Sequence, residues 1–204
     1  MVITDVGISQ SLEKCALDII GPLSKTKNDN IYILTMQDSF SKFSQAVPLK
    51  DQTAHTIADA FIKKWLCVFG APKIVLTDRG QNFLSKLMQR ISKRFGIKRI
   101  HTTSFTPRSN GSLERSHHAL AQFLKMYSST ENCWDEWLDI CMLNYNSSMH
   151  ESSKLSPFEI LFGQLARLPS SEPLRENDLL PTYQGCVRDL VSRLNGIRKL
   201  AYDN

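Results

Sequence analysis

The period of the apolar positions changes along the chain, and that change sketches the elements. Cys15-Ala16-Leu17-Asp18-Ile19-Ile20 is apolar throughout except at Asp18 and reads as a strand buried on both faces, closed by Gly21-Pro22. A polar turn from Lys25 to Asn30 leads into two runs, Ile31 to Met36 and Phe43 to Leu49, that read as an antiparallel meander. Asp38, in the connection between them, reads as a turn residue and not as a ligand. The period then lengthens. With Thr53 as N-cap, Ile57, Phe61, Trp65, Leu66, Val68 and Phe69 form one helical face that Gly70 and Pro72 terminate. Ile74-Val75-Leu76-Thr77 is a short apolar strand between helices, expected to pair in parallel. The next helix is expected to bury Leu84, Leu87, Met88, Ile91 and Phe95 with Lys86, Arg90, Lys93 and Arg94 outward, before a last strand from Ile97 to His101.

Helices take over in the second half. A Pro, Ser, Asn and Gly loop from Phe105 to Gly111 opens a helix that sets Leu113, Leu120, Leu124 and Tyr127 inward and Glu114, His118 and Lys125 on the other side. Trp134, Trp137, Leu138, Cys141 and Tyr145 mark an amphipathic helix, with the Trp pair expected in the core. Ser156-Pro157-Phe158-Glu159 is a capping box that starts a short helix ending at Gly163. Pro169, Pro173 and Pro181 punctuate a linker, and Val187, Leu190, Val191, Leu194 and Ile197 outline a terminal helix expected to pack loosely or against a partner. The pattern predicts an α/β fold divided as 1–11 N-terminal extension, 12–168 core, and 169–204 linker and terminal helix.

Composition narrows the partners. Lys plus Arg number 25 against 20 Asp plus Glu, for a net charge of +5, and the excess is polarised along the chain. From Leu84 to His118 eight basic residues face the single acid Glu114, whereas Glu131 to Ser153 holds five acids and no Lys or Arg. A basic patch of this kind points to phosphate-rich partners more than to membranes, and no run approaches the roughly 20 apolar residues of a membrane span. Five well-separated cysteines without a Cys-x-x-Cys pair read as reduced, mostly buried small hydrophobes of an intracellular protein. His117 and His118 are adjacent and point apart on a helix, which argues against a structural zinc site.

Three acids carry candidate chemistry. Asp18 interrupts a buried strand, where an uncompensated carboxylate costs several kcal/mol; it is either a site residue or a carboxylate satisfied by buried hydrogen bonds. Asp78 follows a parallel strand at its carboxyl end, where ligands gather in open α/β sheets. Glu114 sits in the first turn of a helix among cations, and is either a metal ligand or an ordinary N-terminal Glu on a solvated basic face. Mg²⁺ commonly takes a few carboxylates while phosphate and water fill its other positions, and two such ions can serve phosphodiester displacement.

Between Asp78 and Glu114 lie 35 residues, and with this spacing the sequence resembles the retroviral-type integrase catalytic core, most closely that of gypsy-type LTR-retrotransposon integrases. The resemblance is carried by Leu17-Asp18-Ile19-Ile20-Gly21-Pro22, Leu76-Thr77-Asp78-Arg79-Gly80-Gln81-Asn82-Phe83, Pro107-Arg108-Ser109-Asn110-Gly111-Ser112-Leu113-Glu114-Arg115, Asn144-Tyr145-Asn146 and Ser156-Pro157-Phe158-Glu159-Ile160-Leu161-Phe162-Gly163. It implies a ribonuclease-H-like, five-stranded mixed sheet flanked by helices, here with a C-terminal helical extension. It also implies that Asp18, Asp78 and Glu114 ligate two Mg²⁺ or Mn²⁺ ions, with water trimming the element's 3′ end and the freed 3′-hydroxyl then attacking target DNA. DNA would be met by Arg108, Asn110, Arg115 and His118; the protein would work as a homo-oligomer, in the nucleus. Thr106 stands where the family often has His, which bears on DNA-end contacts and not on the metals. The family's upstream zinc-binding and downstream DNA-binding modules have no counterpart in these 204 residues. That leaves two expectations open: an integrating enzyme core, or a truncated or host-adopted domain that binds nucleic acid or a partner without catalysis.

Overall fold

The computed structural model describes residues 10–101, 120–121, 133–150, 153–168 and 183–203. Its centre is β1 (Lys14–Ile20), which pairs antiparallel with β2 (Tyr32–Asp38), itself antiparallel to β3 (Ser44–Leu49). On its other side β1 pairs in parallel with β4 (Ile74–Thr77), and β4 with β5 (Lys98–His101), giving a five-stranded mixed sheet of order β3-β2-β1-β4-β5. Both the meander and the parallel strand match the sequence expectation. Gly21 ends β1 at φ 132°, where an added Cβ would fall 2.8 Å from the Ile31 carbonyl oxygen, so no larger residue fits this turn.

Period-two alternation sends the strand residues to two different cores. Cys15, Leu17, Leu34, Met36 and Val75 join Ile57, Phe61, Trp65 and Met88 on one face. Ile33 and Ala46 join Leu120, Trp134, Leu138, Cys141 and Tyr145 on the other. Burial and the nearby Asp38 charge push the Cys15 thiol well up, and burial does the same at Cys141. Cys67, by contrast, is exposed and Cys133 is half-buried, so of the four cysteines whose burial is described two lie in the core as expected.

The first helical segment begins as α1 (Ala54–Phe61), capped by Thr53, whose side chain accepts from the Thr56 amide. It continues through a π-helical turn, Ile62–Leu66, into α2 (Cys67–Phe69). The extra residue of that turn delays the inward phase, so Val68, expected on the buried face, is 58% exposed while Phe69 packs on Trp65 and Phe43. A second departure follows Asp78, where the expected single helix is split into α3 (Gln81–Leu84) and α4 (Lys86–Arg94). Ser85 is extended and caps α4, its hydroxyl accepting from the Met88 amide. The break rotates the faces apart: Phe83, Met88 and Ser92 are buried, whereas Leu84, Leu87 and Phe95 are exposed, contrary to the pattern. Lys86, Arg90, Lys93 and Arg94 face outward as expected.

Helix α5 (Trp134–Ser147) lies on the second face of the sheet, and its first turn is tied to the β1–β2 connection. Trp134 Nε1 donates to the Ser24 carbonyl at 2.8 Å. Asp135 Oδ2 accepts from Thr26 Oγ1 at 2.9 Å, Asn28 Nδ2 at 3.0 Å and Asn30 Nδ2 at 2.8 Å. Of the Trp pair only Trp134 is core; Trp137 stands at the edge of the buried stripe and stays 39% exposed. Leu120 is helical and buried, as expected, while Leu113, Leu124 and Tyr127 lie outside the described residues.

The chain divides into two compact units, 1–145 and 146–204. In the second, Ser156 caps α6 (Pro157–Phe162) through the Glu159 amide at 3.1 Å, and Gly163 closes it in the left-handed conformation at φ 73°. A Cβ on Gly163 would come 2.7 Å from Leu194 Cγ, so glycine there lets α7 (Tyr183–Asp203) pack against the end of α6. Val191 and Leu200 of α7 remain half exposed, in keeping with loose packing.

Two carboxylates set stability predictions. Asp38, fully buried, accepts from the Leu12 amide at 2.9 Å and from the Ser41 amide and hydroxyl at 2.8 and 2.6 Å, the turn role expected of it. Asp38→Ala strands those donors and should lower unfolding free energy by about 1–3 kcal/mol in urea melts. At Asp135 burial works to raise the carboxyl, but hydrogen bonds from Asn30, Asn28 and Thr26 outweigh it and hold the group below its usual range. A depressed folded pKa contributes stability above the unfolded value of about 3.9 that disappears as pH falls through the folded one. Melts in an acid series should therefore show a shallower acid loss for Asp135→Ala than for the wild type.

Candidate active site

The parallel ladder between β1 and β4 keeps a constant offset: Lys14 opposite Ile74, Cys15 opposite Val75, Ala16 opposite Leu76. Continued two residues beyond the last pair, the same offset of 60 would bring Asp18 beside Asp78, just past the carboxyl end of β4. Neighbouring strands lie about 4.8 Å apart, and residues two apart share a face. Ala16 and Leu76 pack together with Ile100, so Asp18 and Asp78 extend that row to the edge of the sheet, on the face that also carries α5 and Leu120.

Each carboxylate is oriented by its own backbone. Asp18 is half-buried; its Oδ1 accepts from the Ile19 amide at 2.8 Å, and its carbonyl accepts from Thr35 Oγ1 at 3.2 Å. Asp78 is exposed, and its Oδ1 accepts from the Gly80 amide at 2.9 Å in a tight Asx-type turn. The Asp78 carbonyl accepts from Thr77 Oγ1 at 2.8 Å, and His101 Nδ1 lies 2.9 Å from that hydroxyl and 3.2 Å from that carbonyl. Sequence reasoning missed Thr77 and His101. Each ends a short strand, and it is the pairing of those strands that brings the two together.

Of the predicted site residues, Asp18 lies in β1 and Asp78 directly follows β4, the strand beside it. Glu114, Arg108, Asn110, Arg115 and His118 lie outside the described residues. Among the described residues no group of three or more His, Cys, Asp or Glu side chains forms a metal cluster. The aspartate pair nevertheless suits a hard divalent cation. Like-charged carboxylates on adjacent strands repel, their donors are all oxygen, and the Asp78 side is open to phosphate and water. Mg²⁺ or Mn²⁺ fits this donor set better than a softer, imidazole- or thiolate-seeking metal. Nearby, Arg99 spends its guanidinium on the Phe83 carbonyl, and burial lowers its pKa, so it braces α3 against β5 and drops out of the surface basic patch.

Gly80 is tuned to this arrangement. Its φ of −54° and ψ of 139° are open to any residue, yet a Cβ there would stand 3.0 Å from Asp78 Oδ1. Gly80→Ala should leave the fold as stable or about 0.4–1 kcal/mol more stable, because the unfolded chain loses freedom. Its Mn²⁺ affinity should fall several-fold as the Asp78 carboxylate is turned aside, which thermal melts and Mn²⁺ titration followed by electron paramagnetic resonance would read separately.

Residues 9–107 match the integrase core domain family. The Retrovirus-related Pol polyprotein from transposon 412 of Drosophila melanogaster is 29% identical over 170 residues, covering 83% of this chain and 14% of its own length. The Pol polyprotein of Feline endogenous virus ECE1 is 28% identical, over 65% of this chain and 13% of its own length. The Transposon Tf2-3 polyprotein of Schizosaccharomyces pombe is 26% identical, over 73% of this chain and 11% of its own length, so the chain spans about a seventh or less of these relatives. Among solved structures, the HTLV-2 integrase catalytic core domain in complex with magnesium superimposes with a TM-score of 0.62 at 19% identity, covering 74% of this chain and 97% of that one. A chain of the simian T-cell lymphotropic virus intasome in complex with PP2A regulatory subunit B56 gamma superimposes with a TM-score of 0.67 at 20% identity, covering 83% of this chain and 62% of that one. The sheet order and the flanking helices are those of the ribonuclease-H-like fold expected from the sequence, and residues 9–107 of this chain match the integrase core domain family.

Proposed function

We propose that the chain is the catalytic core of an LTR-element integrase, which trims the 3′ ends of the element's DNA and joins them to target DNA. The observation that supports this reading is the β1–β4 ladder offset, which if continued two residues would set Asp18 beside Asp78 at the carboxyl edge of the sheet. Asp18 and Asp78, with Glu114 as the third ligand, would hold Mg²⁺ or Mn²⁺; the 35-residue spacing supports Glu114. When bound, such ions lower the barrier to phosphodiester displacement by activating the attacking oxygen and neutralising charge on the leaving one. The Ile19 amide holds the Asp18 carboxylate and the Gly80 amide that of Asp78, so neither must reorganise when substrate arrives. Arg108, Asn110, Arg115 and His118 would contact the DNA ends, and the exposed row Lys86, Arg90, Lys93 and Arg94 adds sequence-independent attraction to phosphate. Structures of the HTLV-2 core are described as trimeric and dimeric, and we extend self-association to this chain, acting in the nucleus where target DNA lies.

Strand-transfer assays on an LTR-end duplex with Mn²⁺ test the proposal. The wild type should give cleaved and joined products, and Asp78→Asn should reduce both to background while still binding the duplex. A wild type that binds DNA but yields no product, indistinguishable from Asp78→Asn, would leave a nucleic-acid-binding domain and remove the enzyme.

A further inference from the structure

We propose that His101 is a positioning residue for Asp78, carrying its proton on Nδ1 and, through Thr77, fixing the peptide from which the Asp78 carboxylate projects. This rests on the reading of Asp78 as a metal ligand. The β4–β5 ladder ends at the pair Thr77 and His101, one residue short of Asp78. Where the ladder stops, side chains take over. The buried Thr77 hydroxyl, the Asp78 carbonyl and His101 Nδ1 form a closed triangle with sides of 2.8, 2.9 and 3.2 Å.

Proton bookkeeping decides how the triangle is wired. The carbonyl only accepts, and the hydroxyl has a single hydrogen. If Nδ1 were bare, two lone pairs would oppose each other across 3.2 Å, and the Thr77 hydrogen could serve only one of two acceptors. With a hydrogen on Nδ1 every edge is satisfied. The hydroxyl donates to the carbonyl, and the ring N–H is shared between the hydroxyl oxygen and the carbonyl. The Asp78 carbonyl then receives two donors and its peptide plane is held. The Gly80 amide fixes the other end of the same residue, at the carboxylate. Backbone and side chain of Asp78 are thus restrained independently, and the carboxylate is aimed before any cation arrives.

Three variants and two readouts test this. His101→Asn keeps a side-chain N–H near the place of Nδ1, His101→Phe keeps a ring without a donor, and Thr77→Val removes the hydroxyl at nearly constant shape. Mn²⁺ titration of the purified chain should show affinity lowered about tenfold or more in His101→Phe and Thr77→Val, as for loss of groups that orient a metal ligand, and largely restored in His101→Asn. Long-range nitrogen–proton NMR correlations of the metal-free wild type should show a hydrogen on Nδ1. Wild-type affinity in His101→Phe, or in Thr77→Val should the former fail to fold, overturns the proposal, as does an imidazole protonated only on Nε2. Asp78→Asn separates the two levels. If it alone loses Mn²⁺, the metal site stands and the role of His101 falls. If it binds Mn²⁺ as the wild type does, the metal-site reading falls and this proposal with it, whatever the ring tautomer.

Discussion

One register governs the site. Because β1 and β4 pair in parallel at a fixed offset, two aspartates 60 positions apart in the chain arrive on neighbouring strands, and a slip of one residue would send one of them to the opposite face. The offset is held by cores on both sides of the sheet. Cys15, Leu17 and Val75 lock one face against Phe61, Trp65 and Met88, leaving no room for a polar residue to rotate inward. On the other face, among the described residues, Ala16, Leu76 and Ile100 cluster before the acids begin. On the proposed reading, repulsion between the two carboxylates would be carried by the packing behind them and relieved by a bound cation.

Around that register, polar anchors do what apolar contacts cannot, since they fix directions as well as distances. Asp38 ties the β2–β3 turn to Leu12, two residues ahead of β1, and Asp135 collects three donors from the β1–β2 connection onto the start of α5. Both bracket β1, the strand that carries Asp18. The strand bearing half of the aspartate pair is therefore restrained at each end by a carboxylate with no chemical duty of its own.

Much of this was written plainly in the order of the residues. The strands declared themselves through continuous apolar runs, and the meander through its turn residues, because those features are local. Asp18 and Asp78 were conspicuous because each breaks or ends such a run. What escaped were effects that depend on phase. Val68 turned outward because of one extra residue in a turn, and Leu84 and Leu87 because Ser85 found it more favourable to cap a new helix than to extend the old one. Trp137 shows the same limit, since hydrophobicity gives a stripe its centre but not its width. Thr77 and His101 escaped for another reason: their meeting is a product of strand pairing, and no spacing along the chain announces it.

The π-helical turn at Ile62–Leu66 makes the count of residues in this segment matter as much as their identity. Deleting any one of them would restore a regular helix and swing everything beyond by about 100°. Phe69 would leave the aromatic nest it shares with Trp65 and Phe43, and the connection into β4 would start from a different azimuth. Length variation between homologous chains should thus avoid these five positions even where their side chains drift freely.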